Sequence, residues 1–170
     1  MAELVVRPLT PDDIPDLAAL LGRCFYFGPD SWWPAWLFPY VCLSLQLDLR
    51  QRGQRPHSVC LVAEQGGHLV GTVELAYRSE PWPWFWGTPP HPYLANLAIA
   101  PEYRRLGYAG QLLQRCEDLV RQAGEPTLHL HVLADNEPAR RLYARQGFRL
   151  VSTAGGWWGP RRLLLCKVLV

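Results

Sequence analysis

The chain has 170 residues, the size of one ordinary domain. Lys and Arg number 17 against 15 Asp and Glu, and the net charge of +2 with no long basic tract excludes a nucleic-acid binder that works through bulk charge. With 49% hydrophobic and 19% charged residues this is a folding composition, not a disordered one.

Residues 3–7 read as a first strand. Thr10 is a good N-cap, with Pro11 at the first helical position and Asp13 in the first turn. Ile14, Leu17, Ala18 and Leu21 then form an apolar stripe at helical spacing, which Gly22 or Gly28 is expected to end. Residues 31–52 fit two patterns. Val41, Leu43, Leu45, Leu47 and Leu49 alternate as in a strand, while Val41, Leu45 and Leu49 also make an i, i+4, i+8 row. The helix is preferred here.

His57–Glu64 and His68–Tyr77, joined by Gln65-Gly66-Gly67, have a hairpin signature. Residues 81–90 carry too many prolines for a paired strand and read as an aromatic loop, Trp82 to Trp86. Such a loop serves as a lid over a substrate, a partner-binding patch or a self-packed cap, and the Gly155–Pro160 loop with Trp157 and Trp158 invites the same readings. Tyr93–Ala100 is a strand. Leu112, Leu113, Cys116, Leu119, Val120 and Ala123 mark an amphipathic helix ended by Gly124. Thr127–Leu133 is a strand, and Asn136 caps a helix with Ala139, Leu142 and Tyr143 that Gly147 ends. Phe148–Thr153 and Arg161–Val170 are the last strands. The order β-α-α-β-β-β-α-β-α-β-β predicts one α/β domain over residues 1–170, a mixed, mostly antiparallel sheet flanked by helices.

Five widely spaced Cys without a CxxC suggest neither a disulfide framework nor a zinc site. Reduced thiols and a cytoplasmic protein are expected. No apolar run reaches the roughly 20 residues that cross a bilayer, and Met1–Pro8 enters a strand pattern rather than a leader, so no membrane partner is expected.

Asn96–Gly110 carries the most chemistry. A strand ends, a basic turn with small residues follows, and a helix begins, so backbone N–H groups collect at the positive end of a helix dipole. Gly107, Ala109 and Gly110 let an oxyanion approach the backbone, and Arg104 and Arg105 add positive charge. This pattern fits a pyrophosphate cradle, and a solvated Arg pair before an ordinary helix start fits it as well. Neither the P-loop nor the GxGxxG spacing is present.

Arg104-x-x-Gly107-x-Ala109 resembles the acetyl-CoA pyrophosphate loop of the GNAT superfamily of N-acetyltransferases. Asn136-x-x-Ala139-x-x-Leu142-Tyr143-x-x-x-Gly147-Phe148 resembles that superfamily's later motif, at the expected distance. The resemblance covers 91–150 most closely and extends over 57–170, while the first 56 residues match only in order of elements. Within the superfamily, Tyr93–Val120 is most similar to plastid and cyanobacterial members that acetylate protein amines.

The resemblance implies a GNAT-like fold and direct transfer from acetyl-CoA to an amine, with no acyl-enzyme and no metal. It implies that backbone groups of Leu97, Ala98 and Ile99 pair with the pantetheine arm. Arg104, Arg105, Leu106, Gly107, Tyr108, Ala109 and Gly110 would hold the pyrophosphate, and Asn136 and its helix start would lie near the thioester. Tyr143 is the expected acid for the departing thiolate. On the strand 127–133, Thr127, His129, His131 and Leu133 share one face. His131 stands where relatives that acetylate ribosomal-protein N-termini often carry Glu, so it is a candidate base, directly or through water, with a structural histidine as the plain alternative. Glu74 is the other candidate base; it would otherwise bind a cationic acceptor or be a solvated strand residue. The expected acceptor is a protein N-terminal α-amine or a Lys side chain, on a monomer or homodimer. A small-molecule amine, or a regulatory acetyl-CoA-binding module without turnover, is the alternative.

Overall fold

The computed structural model describes residues 3–28, 31–53, 57–79, 89–155 and 159–169. The elements come in the expected order: β1 (Leu4–Pro8), α1 (Ile14–Phe25), α2 (Phe38–Arg52), β2 (Ser58–Gln65), β3 (His68–Arg78), β4 (His91–Ile99), α3 (Tyr108–Gln122), β5 (Thr127–Leu133), α4 (Glu137–Arg145), β6 (Arg149–Ala154) and β7 (Arg162–Val168). The seven strands hydrogen-bond in the order β1-β2-β3-β4-β5-β7-β6. The β4–β5 pairing is parallel, and those of β1 with β2, β5 with β7 and β6 with β7 are antiparallel, so the sheet is mixed as expected. The aromatic stretch Trp82–Trp86 and Trp157–Trp158 lie outside the described residues.

The chain packs as two compact units, Met1–Glu74 with Asn96–Leu113, and Leu75–Ala95 with Gln114–Val170. In the first, Ile14, Leu17, Ala18, Leu20 and Leu21 of α1 are buried with Leu49, Val62, Ala98 and Ala100. Thr10 stands at the N-cap with Pro11 and Asp13 behind it, as expected, in a 3-10 turn, Pro11–Asp13, that runs into α1; Asp13 Oδ2 accepts the Thr10 N–H at 2.8 Å and the Thr10 hydroxyl at 2.7 Å. The end of α1 differs from the sequence pattern. Neither Gly22 nor Gly28 ends the helix. Gly22 lies inside it because α2 comes close: a Cβ there would meet Phe38 at 3.2 Å and Cys42 at 3.6 Å.

The competing strand and helix patterns of 41–49 are two faces of α2. Leu49 is buried with the α1 core and Leu45 packs against that core, while Leu43 and Leu47 point to solvent. β2 and β3 are joined by Gly66 and Gly67 at φ of +58° and +82°, the left-handed pair that a two-residue hairpin turn demands. Gly71 in β3 is required by close approach: a Cβ would stand 2.5 Å from Ile99 Cδ1 and 3.1 Å from the Ala98 carbonyl.

In the second unit β5 alternates as predicted. Leu128, Leu130 and Val132 are buried, while Thr127, His129 and His131 are half-buried on the opposite face. β5 pairs with β7 from Thr127↔Val168 to Leu133↔Arg162. Glu117 is fully buried on α3, and it is paired with Lys167 at 2.6 Å and Arg121 at 3.3 Å. The chain's single lysine is therefore committed to a structural ion pair, since an unpaired carboxylate there would be costly.

Candidate active site

The first unit presents the strand–turn–helix that the sequence singled out. Within β4, Asn96 takes a left-handed φ of +53°, a conformation that Asn tolerates better than most residues. Its side-chain amide donates to Glu74 Oε2 at 2.8 Å. The same oxygen accepts from Arg52 Nη1 at 2.8 Å, and Arg52 also bridges to Asp48 at 2.7 Å. Glu74 is buried and lines a small cavity of about 40 Å³ with Leu9, Leu49, Arg52, Gly53, Ser58 and Cys60. The left-handed residue Asn96 is thus pinned by a carboxylate that an arginine already neutralises.

Past Asn96, Leu97, Ala98 and Ile99 lead to a 3-10 turn, Pro101–Tyr103, held by Ala100 N–H to the Val70 carbonyl at 2.9 Å. Arg104 folds back, its Nε donating to the Ile99 carbonyl at 3.1 Å. Arg105 and Gly107 follow at φ of +64° and +84°, two left-handed residues in three. Such alternation turns successive N–H groups toward one side, a concavity that suits an anion. The first turn of α3 then contributes the N–H groups of Tyr108, Ala109 and Gly110, which have no intrahelical acceptor; the helix ladder opens with Gln111 N–H to the Gly107 carbonyl at 3.2 Å. Arg104 to Gly107 are all exposed, and no carboxylate lies between 104 and 110. Backbone donors, helix dipole and arginine charge all favour an anion here.

The second unit holds the candidate residues Tyr143 and His131. Tyr93 and His129 are parallel partners across β4 and β5, so His131 lies on the same face, one residue pair further along β5. The Tyr93 hydroxyl is 3.0 Å from His131 Nδ1 and accepts the His131 backbone N–H at 3.2 Å. The Arg78 guanidinium lies 4.3 Å above the Tyr93 ring, a cation–π contact. The His91 and His129 rings meet edge to face at 4.6 Å. Tyr93 had not stood out in the sequence. It sits on an apolar strand, and only the register that sets β4 beside β5 reveals its partner.

Tyr143 is buried on α4, its ring edge-on to Phe148 with centroids 5.7 Å apart. Burial, and then the charge that Tyr93 would carry, push its phenol up to about 12. The group therefore stays protonated throughout the neutral range. Asn136 caps α4 as expected, its Oδ1 accepting from Ala139 N–H at 3.2 Å. Arg141 pairs with Glu137 on the exposed face of α4. Cys24, Cys42, Cys60 and Cys166 are all raised by burial, which leaves them poor thiolate nucleophiles. Among the described residues no group of three His, Cys, Asp or Glu side chains is placed to hold a metal, and no helix is long and apolar enough to cross a membrane.

The profile of the acetyltransferase (GNAT) family matches residues 19–148, across both units and both motifs. The chain belongs to the GNAT family. The GCN5-related N-acetyltransferase 10, chloroplastic, of Arabidopsis thaliana is 31% identical over 123 residues, which cover 64% of this chain and 48% of that protein. The chain thus spans about half the length of this curated relative. Among solved structures, the PaiA N-acetyltransferase of Thermoplasma acidophilum in complex with coenzyme A superposes with a TM-score of 0.74 at 17% identity, covering 98% of this chain and 99% of that one. The ribosomal-protein-S18-alanine N-acetyltransferase of Escherichia coli gives 0.70 at 17% identity, over 98% and 94% of the two chains. At that identity the likeness is one of fold.

Proposed function

We propose that this GNAT chain transfers an acetyl group from acetyl-CoA directly to a primary amine of a protein, an N-terminal α-amine or a Lys side chain. The observation that carries the reading is the turn at Arg105 and Gly107, with two left-handed residues opening onto the α3 N-terminus. It offers what a pyrophosphate needs, and a GNAT fold is where such a turn serves acetyl-CoA. In this reading Arg104 to Gly110 hold the pyrophosphate, backbone groups of Leu97 to Ile99 pair with the pantetheine arm, and Asn136 with the start of α4 lies near the thioester.

The chemistry is a proton problem at both ends of the transfer. The attacking amine must be neutral, and the departing sulfur must not be left as a bare thiolate. His131 is the base. If Nδ1–H donates to the Tyr93 oxygen, Nε2 is the nitrogen that takes the proton, and Tyr93 fixes that tautomer and the ring plane. Tyr143 serves the sulfur. A phenol pushed up to about 12 is always available as a donor. Complete transfer to a thiolate of ordinary basicity, near 8.5, would run uphill by roughly 5 kcal/mol. Tyr143 therefore acts first as a hydrogen-bond donor that stabilises developing negative charge on sulfur. Glu74, spent on Arg52 and Asn96, is a positioning residue for the left-handed Asn96 rather than a base. The raised thiols fit direct transfer without an acyl-enzyme.

The protein acceptor rests on the resemblance of Tyr93–Val120 to plastid and cyanobacterial members that acetylate protein amines, and a chloroplastic protein stands among the relatives, 31% identical over 123 residues. The test is incubation of the purified chain with acetyl-CoA, peptides and small amines, read by mass spectrometry and thiol release. Acetylated peptides with the site resolved to an α-amine or Lys are expected. Modification of small amines alone would assign a small-molecule acceptor, and tight acetyl-CoA binding without turnover in either pool would make the chain a binding module.

A further inference from the structure

We propose that the chain forms a two-fold dimer through α2, whose solvent face packs antiparallel on the same face of a second copy. Helix α2 is apolar on two sides. One side meets α1, and the other carries Tyr40, Leu43 and Leu47, exposed to 66, 55 and 52%, extended toward the N-terminus by Trp36 of the 3-10 turn Ala35–Leu37, exposed to 68%. At about 200 Å² for an aromatic and somewhat less for Leu, these four side chains expose on the order of 450 Å². That is the size of the largest apolar patch usual on a monomer, about 300–600 Å², and such a patch is often functional. Two copies together would bury about 900 Å² of apolar side chain, which at the roughly 65% apolar share of homodimer interfaces corresponds to about 1,400 Å² in all, inside the range of about 1,200–2,000 Å² for a stable complex.

The spacing selects a second copy as the occupant. Steps of four, three and four residues follow the 3.5-residue seam of packed helices. The seam is also symmetric about its own centre. Trp36 and Leu47 lie equally far from the point between Val41 and Cys42, and so do Tyr40 and Leu43. A two-fold axis there sets Trp36 against Leu47 of the partner subunit and Tyr40 against Leu43 of the partner subunit, a large ring against a smaller aliphatic in every pair. That is the self-complementarity an isologous interface requires. Ser31 to Leu47 contains no charged residue, so two copies meet without like-charge repulsion. The same lack of Lys and Arg gives an anionic lipid surface or a nucleic acid nothing to hold, and the lack of Asp and Glu gives a cationic acceptor nothing to bind.

The test is sedimentation of the full chain across the micromolar range. The expected species has twice the 19.4 kDa chain mass and dissociates on dilution. Leu43→Glu is counted twice by the symmetry and should weaken the dimer about a hundredfold. Tyr40→Lys should do the same. Mixing the two variants should restore a heterodimer, because the carboxylate introduced in one subunit then faces the ammonium introduced in the other. Gln122→Glu, on exposed α3, should leave the dimer unchanged. All these positions are exposed, so the thermal midpoint and acetyl-CoA binding check that each variant is folded. A wild-type chain that stays monomeric at its highest soluble concentration overturns the proposal, and so does a dimer that Leu43→Glu does not weaken. If Leu43→Glu instead abolishes peptide turnover or binding to lipid vesicles at unchanged mass, the face belongs to that occupant and the proposal falls.

Discussion

Replacing Tyr143 with Phe removes one oxygen atom and keeps the ring. The ring is held by Phe148 in a site only 8% exposed, and the hydroxyl takes part in no hydrogen bond among the described residues. The folded chain therefore loses less than about 1 kcal/mol, because no donor or acceptor is orphaned. Catalysis loses the only donor assigned to the sulfur. Removing one such donor costs about 10²–10³ in kcat, about 3–4 kcal/mol. KM for acetyl-CoA should stay within about threefold, since the interaction is made as charge develops and not in the ground state. Thiol release at saturating acetyl-CoA measures kcat, and a thermal melt measures the fold. A second readout comes from alkali. The unfolded chain ionises its tyrosines near pH 10, whereas folded Tyr143 holds its proton to about 12. Its contribution to stability is present in full below about pH 10 and is lost as pH rises toward 12, an effect of about 2–3 kcal/mol. The Phe variant lacks that loss, so its stability should fall less steeply than wild type over the same interval. A variant with kcat within about threefold of wild type would refute the donor role, and parallel alkaline limbs would refute the burial argument.

Gly107→Ala forces a Cβ into a left-handed turn at φ +84°, where space is open but the backbone is strained by roughly 1–2 kcal/mol; KM for acetyl-CoA should rise about tenfold with kcat at saturation retained, which initial-rate kinetics would show. Glu74→Gln keeps a hydrogen-bond acceptor for Asn96 but removes the buried one of the two carboxylates on Arg52, leaving it Asp48, so the melting midpoint should drop by an amount equivalent to about 1–3 kcal/mol while the shape of the pH–rate profile stays that of wild type; disappearance of its acidic limb would make Glu74 the base. His131→Gln should remove that limb and lower kcat by about 10²-fold or more, and Tyr93→Phe should shift the limb and leave acetyl-CoA binding alone. Asp13 is held well below the usual carboxylate range by the bidentate Arg7 pair, so its contribution is intact above about pH 4 and is lost as pH falls below that; acid titration of the melting midpoint should show Arg7→Ala closing on wild type as pH drops through this region.

Most of the fold was legible because each element carries a local signal. The stripe of α1, the alternation of β5, the Gly-Gly turn and the Asn136 cap all act within a few residues of where they appear. The turn from Arg104 into α3 was legible for the same reason: glycine and alanine at fixed offsets are a backbone requirement written in side chains. What stayed hidden depended on registers between distant segments. Tyr93 becomes a partner of His131 only because β4 runs parallel to β5, 38 residues away along the chain. Glu74 reads as a free carboxylate until Arg52, 22 residues earlier, reaches it from the end of α2. The left-handed conformation of Asn96 left no mark in the sequence beyond an asparagine in an apolar strand.

If the acceptor is a protein amine, as proposed, the His131–Tyr93 pair also bears on which one is taken. An α-ammonium ordinarily loses its proton near 7.7–8.0 and a Lys ammonium near 10.4, a gap of about 2.5 units or 3.5 kcal/mol in the cost of presenting a neutral nucleophile. An imidazole base cannot close that gap, since whatever its own affinity for the proton the Lys acceptor remains harder to deprotonate by the same amount. A site built for Lys needs a further device, such as a carboxylate near the ammonium to orient it or an apolar sleeve that lowers its basicity. The carboxylate best placed by the sequence, Glu74, is already neutralised by Arg52. Between the two protein amines the chemistry therefore favours the N-terminal one. Peptides identical except for a free or a blocked N-terminus, each carrying one Lys, separate the two: acetylation confined to the free α-amine follows from this reasoning, and efficient modification of Lys in the blocked peptide contradicts it.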